Sequence, residues 1–269
     1  MFKSVKIFLD NLFLPRTLRV ATDIGSKSLP VIVLLHGIAA TAGTWDLFIK
    51  EIDISKYRVV ALDLLGFGQS PKPAGCKYFV EDHVAYVHRT INKLHIKSPY
   101  IVIGHSMGSI IAARYCRMYH DEVKAAYLLS LPLYIDKPEP LKRLVDRQID
   151  VYFAAYRFLA DNKDFTINNS QNLRKLLRVY DGMDVTEDNW EGFRLSLKNT
   201  IINQDVIGDI QNAKVPVNIF YGDMDELLPQ KSIDNLASLD KVKVTKLQIV
   251  GHIVGARFAK LMARVINEA

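Results

Sequence analysis

The chain has 269 residues, 49% hydrophobic and 24% charged, enough to bury one substantial core as a single domain or one with an insertion. Its 35 Lys and Arg outnumber its 29 Asp and Glu and set the pI near 9.1. The basic residues are nevertheless spread among the acids rather than gathered in an arm or block, which argues against a nucleic-acid partner.

Two cysteines, Cys76 and Cys116, are too few and too far apart for a zinc cluster. They fit a reducing compartment, so the expectation is a cytoplasmic protein with no metal or other cofactor. At the N-terminus Lys3 and Lys6 lead into Ile7-Phe8-Leu9, but Asp10 and Asn11 interrupt the apolar run and no small-residue cleavage site follows. A secretory signal is therefore not expected. Nor is a spanning helix, since no run of about 18 apolar residues occurs. Phe2, Val5, Leu9, Leu12 and Phe13 recur at helical spacing. They suit a helix packed on the domain; the alternative is weak peripheral membrane contact, or a flap at a substrate mouth, through residues 1–14.

Val31 to Leu35 is a continuous apolar run, as expected of a strand buried on both faces, and ends in His36-Gly37-Ile38-Ala39-Ala40. A helix with Trp45, Phe48 and Ile49 on one side follows. Tyr57 to Leu62 is the next strand, ending in Asp63-Leu64-Leu65-Gly66-Phe67-Gly68-Gln69-Ser70. Val80, Val84, Val87, Ile91 and Leu94 mark a helix over 79–94. Ile101-Val102-Ile103 then runs into Gly104-His105-Ser106-Met107-Gly108, with a helix over 110–118 beyond. A serine between two glycines at a strand-to-helix turn is the layout of a nucleophile elbow. Val123 to Leu129 is a further buried strand. This alternation predicts an α/β fold with a mostly parallel, doubly wound sheet.

The rhythm changes at Leu131. Helical patterns fall at 141–159, around Leu173, Leu176, Leu177 and Tyr180, and at Trp190, Phe193, Leu197 and Ile201. Residues 133–208 therefore read as a helical insertion between the core segments 1–132 and 209–269. Alternation resumes with a strand over 215–221, ending in Gly222-Asp223-Met224-Asp225-Glu226-Leu227-Leu228-Pro229. A helix over 233–239, a strand over 243–250 ending in Gly251-His252, and a helix over 256–266 complete the chain.

Four of these loops follow strand C-termini, which meet in one crevice of an open parallel sheet. They bring a serine, an aspartate and a histidine, in that chain order. On His36-Gly37 with Trp45, the segment Asp63 to Ser70, Gly104 to Gly108, Gly222-Asp223-Met224-Asp225 with Pro229, and His252, the chain resembles the α/β-hydrolase family over nearly its whole length. The resemblance is to the esterase-like serine hydrolase branch with a helical cap (lid) at 133–208.

It implies catalytic Ser106, Asp225 and His252, with the backbone N–H groups of Ile38 and Met107 as an oxyanion hole. Gly104, Gly108, His36, Gly37 and His105 would support them. A serine hydroxyl needs an adjacent base, and the base needs an acid to hold its tautomer. Asp223 is the rival acid; the alternative acid position, Ser130-Leu131-Pro132, holds no carboxylate.

The implied partner is a small to medium carboxylic ester, cleaved through an acyl-enzyme. Thioesterase, lipase-like and carbon-carbon bond hydrolase activities use the same triad, and a non-catalytic ligand receptor is the second class. Dehalogenases and epoxide hydrolases carry an aspartate where Ser106 stands. His83, His88, His95 and His120 read as packing or surface residues. Gly66 and Gly68 lack the lysine of a phosphate loop. Tyr152, Phe153, Tyr156 and Phe158 are candidates for lining an acyl pocket. Nothing in the sequence fixes an oligomeric state.

Overall fold

The continuous apolar runs become strands buried at every position, at Val31–Leu35, Arg58–Leu62 and Tyr100–His105. The computed structural model describes residues 11, 14–133, 142–172, 184–225, 227–228 and 230–268, with backbone alone at 142–149, 231 and 232. Among them seven strands form one sheet: β1 (Val20–Ile24), β2 (Val31–Leu35), β3 (Arg58–Leu62), β4 (Tyr100–His105), β5 (Val123–Leu129), β6 (Val217–Gly222) and β7 (Val242–Leu247). Their order is β1-β3-β2-β4-β5-β6-β7. β1 pairs antiparallel with β3 and all other neighbours are parallel.

The described helices are α1 (Asp46–Glu51), α2 (Val80–Lys93), α3 (Met107–Met118), α4 (Lys142–Asp161), α5 (Lys163–Asn168), α6 (Trp190–Ser196), α7 (Val206–Gln211), α8 (Gln230–Asp234) and α9 (Ala256–Asn267). Side chains alternate across the sheet with the strand period of two. Ile32, Leu34, Val59, Ala61, Ile101 and Ile103 pack on one face with Trp45 and Phe48 of the α1 region and Phe258, Met262 and Ile266 of α9. Val33, Leu35, Val60, Leu62 and Val102 pack on the other with Val84, Val87 and Ile91 of α2 and Ile110 and Ile111 of α3. Each Val, Leu, Ile, Phe or Met among them contributes roughly 1.5–3 kcal/mol by burial.

Several boundaries differ from the sequence pattern for local reasons. β1 carries no continuous apolar run, because it lies at the sheet edge and is largely half-exposed. It is held by a buried guanidinium: Arg58 Nε and Nη2 donate to Asp23 Oδ1 and Oδ2 at 2.7 and 2.8 Å. β7 stops at Leu247, because the N–H groups of Ile249 and Val250 turn to a side-chain acceptor, Asp223 Oδ1, at 2.7 and 3.3 Å. The helix expected over 233–239 is α8 followed by a 3-10 turn, Asn235–Ser238.

Between β5 and β6 the described residues are helical and contain no strand. The helix expected around Leu173, Leu176, Leu177 and Tyr180 lies outside the described residues, as do Pro229 and most of the N-terminal segment with its Phe2, Val5, Leu9, Leu12 and Phe13. The helix expected at Trp190 to Ile201 is α6, continued by a π-helical turn, Leu197–Ile202.

That helix is tied to the sheet domain by polar contacts. Thr200 Oγ1 donates to Tyr78 O at 2.9 Å, Asn199 Nδ2 to Lys77 O at 2.6 Å, and His83 Nε2 lies 3.1 Å from Ser196 Oγ. α7 is fixed by Arg114 Nε and Arg117 Nη1 donating to buried Asp209 Oδ1 at 2.6 and 3.1 Å. On α4, Phe158 is 48% exposed and pairs edge-on with Phe165 of α5. It therefore faces outward rather than lining an interior pocket. No described helix is long and apolar enough to cross a membrane.

A Cβ on Gly222, at the end of β6, would lie 1.9 Å from the carbonyl oxygen of Val250. Gly222→Ala should lower stability by roughly 1–3 kcal/mol in urea unfolding, the usual cost of overpacking. An unchanged midpoint would show that the two loops part freely.

Candidate active site

The strand order reverses between β2 and β4, the switch point where open α/β sheets place their ligands. β4 ends here in a tight turn. Ser106 sits at φ 52°, ψ −120° between β4 and α3, a conformation that costs a non-glycine residue about 1–3 kcal/mol and persists only where its surroundings enforce it. They do. Ser106 N–H donates to Leu129 O at 2.9 Å, and Ser106 O accepts from Ser109 N at 2.8 Å and Ser109 Oγ at 2.5 Å. A Cβ on Gly104 would lie 2.1 Å from Gly108 O, and one on Gly108 would lie 2.2 Å from Leu35 O. The two motif glycines are thus required by backbone packed on backbone.

Leu35 is the last residue of β2, and the loop beyond it is oriented by His36. That ring is fully buried. Leu64 N–H donates to its Nε2 at 2.8 Å, so the ring proton is on Nδ1, which donates to Gly37 O at 2.7 Å. Burial pushes the His36 pKa down to about 4, keeping it neutral. Because a trans peptide sets C=O and N–H in opposite directions, this bond also fixes the direction of Ile38 N–H. No described group accepts from Ile38 N–H. Met107 is the first residue of α3, so its N–H lacks an intrahelical acceptor.

Asp63, buried behind this loop, accepts from Ala42 N at 2.9 Å, Gln69 N at 3.0 Å and Arg19 Nη1 at 3.2 Å. Burial opposes its charge, but these donors and nearby His36 prevail and hold its pKa below the usual carboxylate range. The Asp63 to Ser70 segment therefore braces the loop after β2 through Ala42, with Gly66 and Gly68 at positive φ.

Asp225 and His252 come together across the loops after β6 and β7. His252 Nδ1 lies 2.9 and 3.1 Å from the Asp225 carboxylate oxygens. Asp225 is 2% exposed. Burial works to raise its pKa; the His252 ring, the Ser130 hydroxyl and Leu227 N–H outweigh it and hold the group ionised. An ionised carboxylate only accepts, so the His252 proton is on Nδ1 and the Nε2 lone pair is free.

The rival acid is otherwise engaged. Asp223 Oδ1 takes the N–H groups of Ile249 and Val250, and Met224 N–H donates to Val250 O at 3.0 Å. Ile249, though β-branched, is held at φ 57°. Sequence reasoning passed over Ser130 because it carries no carboxylate. It is buried at φ 48° at the end of β5, with Oγ beside Asp225 and 3.4 Å from His252 O.

His83 is buried and His88 stacks on Tyr119 at 3.8 Å. His120 lies 3.2 Å from Lys214 Nζ, and His95 is exposed at φ 49°. Both cysteines are free thiols, and burial raises the pKa of Cys76 to about 11 and of Cys116 to about 12. Among the described residues no group of three His, Cys, Asp or Glu could hold a metal ion.

A sheet of this order, with a strained serine at its switch point, a loop presenting free amides and an Asp–His pair at neighbouring strand ends, defines the class of α/β hydrolases. The family model described as alpha/beta hydrolase fold matches residues 30–255, and the chain belongs to that family. Among curated relatives, a probable lysophospholipase of Arabidopsis thaliana, BODYGUARD 4, is 33% identical over 104 residues, covering 38% of this chain and 25% of the relative. The chain thus spans about a quarter of the length of such plant relatives. Lipase 1 of Psychrobacter immobilis is 20% identical over 232 residues, 82% of this chain and 71% of the relative. The enol-lactonase of Burkholderia xenovorans superposes with a TM-score of 0.67 at 19% identity, over 92% of this chain and 94% of its own.

Buried histidines give the fold a defined acid response. The pKa of His36 is lowered from 6.5 to about 4, and those of His83 and His105 to about 3, each by burial. Between those values and 6.5 the unfolded chain binds more protons, so stability falls as pH drops through this window, by up to about 1.4 kcal/mol per pH unit for each histidine. Urea midpoints should decline from about pH 6.5 to 4.5, and the decline should be shallower in His83→Leu. An equal slope in wild type and variant would show that His83 is charged in the folded state.

Proposed function

We propose that the protein is a serine hydrolase of carboxylic esters, working through an acyl-enzyme formed on Ser106. The observation that carries this reading is the pairing of His252 Nδ1 with Asp225 at 2.9 Å at the same sheet edge as the strained serine turn. With its proton on Nδ1, His252 takes the Ser106 proton on Nε2 as the hydroxyl attacks the ester carbonyl. Asp225 stabilises the imidazolium. The oxyanion is held by Ile38 N–H and Met107 N–H, each donor contributing a factor on the order of 10² to 10³ in turnover. His252 returns the proton to the leaving alcohol, and water releases the acid by the reverse sequence. No step draws on a cofactor.

In this reading residues 133–208 form the cap that shapes the substrate mouth. Asp184 N–H donates to Ala39 O at 2.9 Å, a bond that supports this reading. The names of the relatives, a lysophospholipase and a lipase, favour fatty-acyl esters as the more specific substrate class.

A fluorophosphonate probe should label the wild type and not Ser106→Ala. A folded wild type that never labels would instead support a ligand receptor. On a panel of nitrophenyl esters, turnover should rise with acyl length if the fatty-acyl reading holds. Asp225→Asn should cost 10²- to 10⁴-fold in kcat, on the scale of triad acids elsewhere (~10⁴), while Asp223→Asn, which keeps the accepting oxygen, should cost under about tenfold. Comparable losses would overturn the choice of acid. Because protonated His252 cannot act as base, activity should fall on the acid side; a profile flat down to about pH 5 would contradict that role.

A further inference from the structure

His105, the residue before the nucleophile, does more than fill the elbow. Its ring is 6% exposed, and its Nε2 lies 2.8 Å from the main-chain carbonyl oxygen of His252. A carbonyl oxygen only accepts, so Nε2 carries the proton and donates. The ring stands edge-on to Trp45, at 6.5 Å between centroids and 89° between planes, and lies 5.1 Å from the His252 ring. On its other side a Cβ on Gly37 would come within 3.3 Å of both His105 Nδ1 and Ser106 Cβ. One imidazole thus touches the oxyanion loop, adjoins the nucleophile along the chain and grips the backbone of the base.

The loop being gripped is stitched to the turn after β6 at Ile249 and Val250 but is open around its two glycines. A Cβ on Gly255 would meet nothing within 4 Å, and one on Gly251 only Met224 O at 3.9 Å. Two residues earlier the chain passes through Ile249 at φ 57°. The Asp225 bond fixes one nitrogen of the His252 ring, Nδ1, but a ring held at one atom can still swing with its backbone. The second observed hold on that carbonyl, from Ser130 Oγ, is long at 3.4 Å, and the single hydroxyl proton is shared with Asp225.

We propose that His105 is a positioning residue, which sets the distance between Ser106 and His252 by clamping the His252 carbonyl to the nucleophile's own turn. The two side chains then keep their spacing when the loop after β7 moves, because the clamp joins that loop to the serine through one covalent link. Burial reinforces the role: with its pKa near 3, His105 stays a neutral donor while His252 gains and loses protons. This proposal rests on reading Ser106, Asp225 and His252 as the reacting set.

The test compares His105→Leu, which removes the donor, with His105→Gln, whose amide nitrogen can occupy the place of Nε2, in the full-length chain. In the Leu variant kcat on a nitrophenyl ester should fall by about 10- to 100-fold, the range for a small misplacement of reacting groups, with KM changed less than about threefold. The Gln variant should recover most of that loss. Fluorophosphonate labelling rates should follow the same order. A readout independent of turnover is the downfield proton resonance of His252 Nδ1–H, assigned by its loss in His252→Gln. It should broaden or shift in His105→Leu and return in His105→Gln.

If both variants are folded by circular dichroism and lose activity equally, or if Leu keeps full kcat, the clamp is overturned. If the wild type neither turns over esters nor labels, while the resonance still responds to Leu and recovers in Gln, the hydrolase reading fails and the clamp stands.

Discussion

The contact between the turn after β6 and the turn after β7 is what the site depends on. It is made by backbone against backbone, with Gly222 under Val250 and Met224 N–H on Val250 O. Asp223 is the stitch, taking two N–H groups of the facing turn on one oxygen. This contact lets a nearly inaccessible carboxylate, Asp225, meet an imidazole from a loop 27 residues away. An isolated carboxylate at that depth would cost several kcal/mol. Here the ring, a hydroxyl and a main-chain N–H share its charge, so the acid is ionised and the ring's tautomer follows.

A second constraint fixes the serine. The elbow is strained, and the strain is contained by the start of α3, packed so close on the ends of β4 and β2 that only hydrogen fits at positions 104 and 108. The loop after β2 is steered by a bond from His36 to its own neighbour's carbonyl, a bond that exists because Leu64 N–H occupies the other ring nitrogen. Three buried imidazoles, His36, His83 and His105, thus act as neutral connectors with one proton each.

Much of this was legible in the residues. Continuous aliphatic runs announced the inner strands, since a strand buried on both faces has no polar side to show. The Gly-x-Ser-x-Gly turn announced the bend from β4 into α3, and Asp225 and His252 announced loops that the fold pairs. What stayed hidden has physical reasons. β1 is an edge strand whose attachment depends on an Arg58–Asp23 pair, and a charge pair has no periodicity. The division of labour between Asp223 and Asp225 depends on which oxygen faces an N–H and which faces a ring, and two aspartates spaced by one residue look alike in a sequence. Ser130 and His105 act through a main-chain carbonyl, and a carbonyl leaves no mark in the residue code.

The two thiols carry a practical consequence. Cys76 and Cys116 are packed so that burial holds both far from the thiolate form at neutral pH, and the thiolate is the species that alkylating reagents attack. Both native thiols should therefore react slowly with maleimides. A single cysteine introduced on an outward-facing position of α4 would take a dye alone, without first stripping the natural ones, and its emission would report movement of the helical insertion against the sheet in real time.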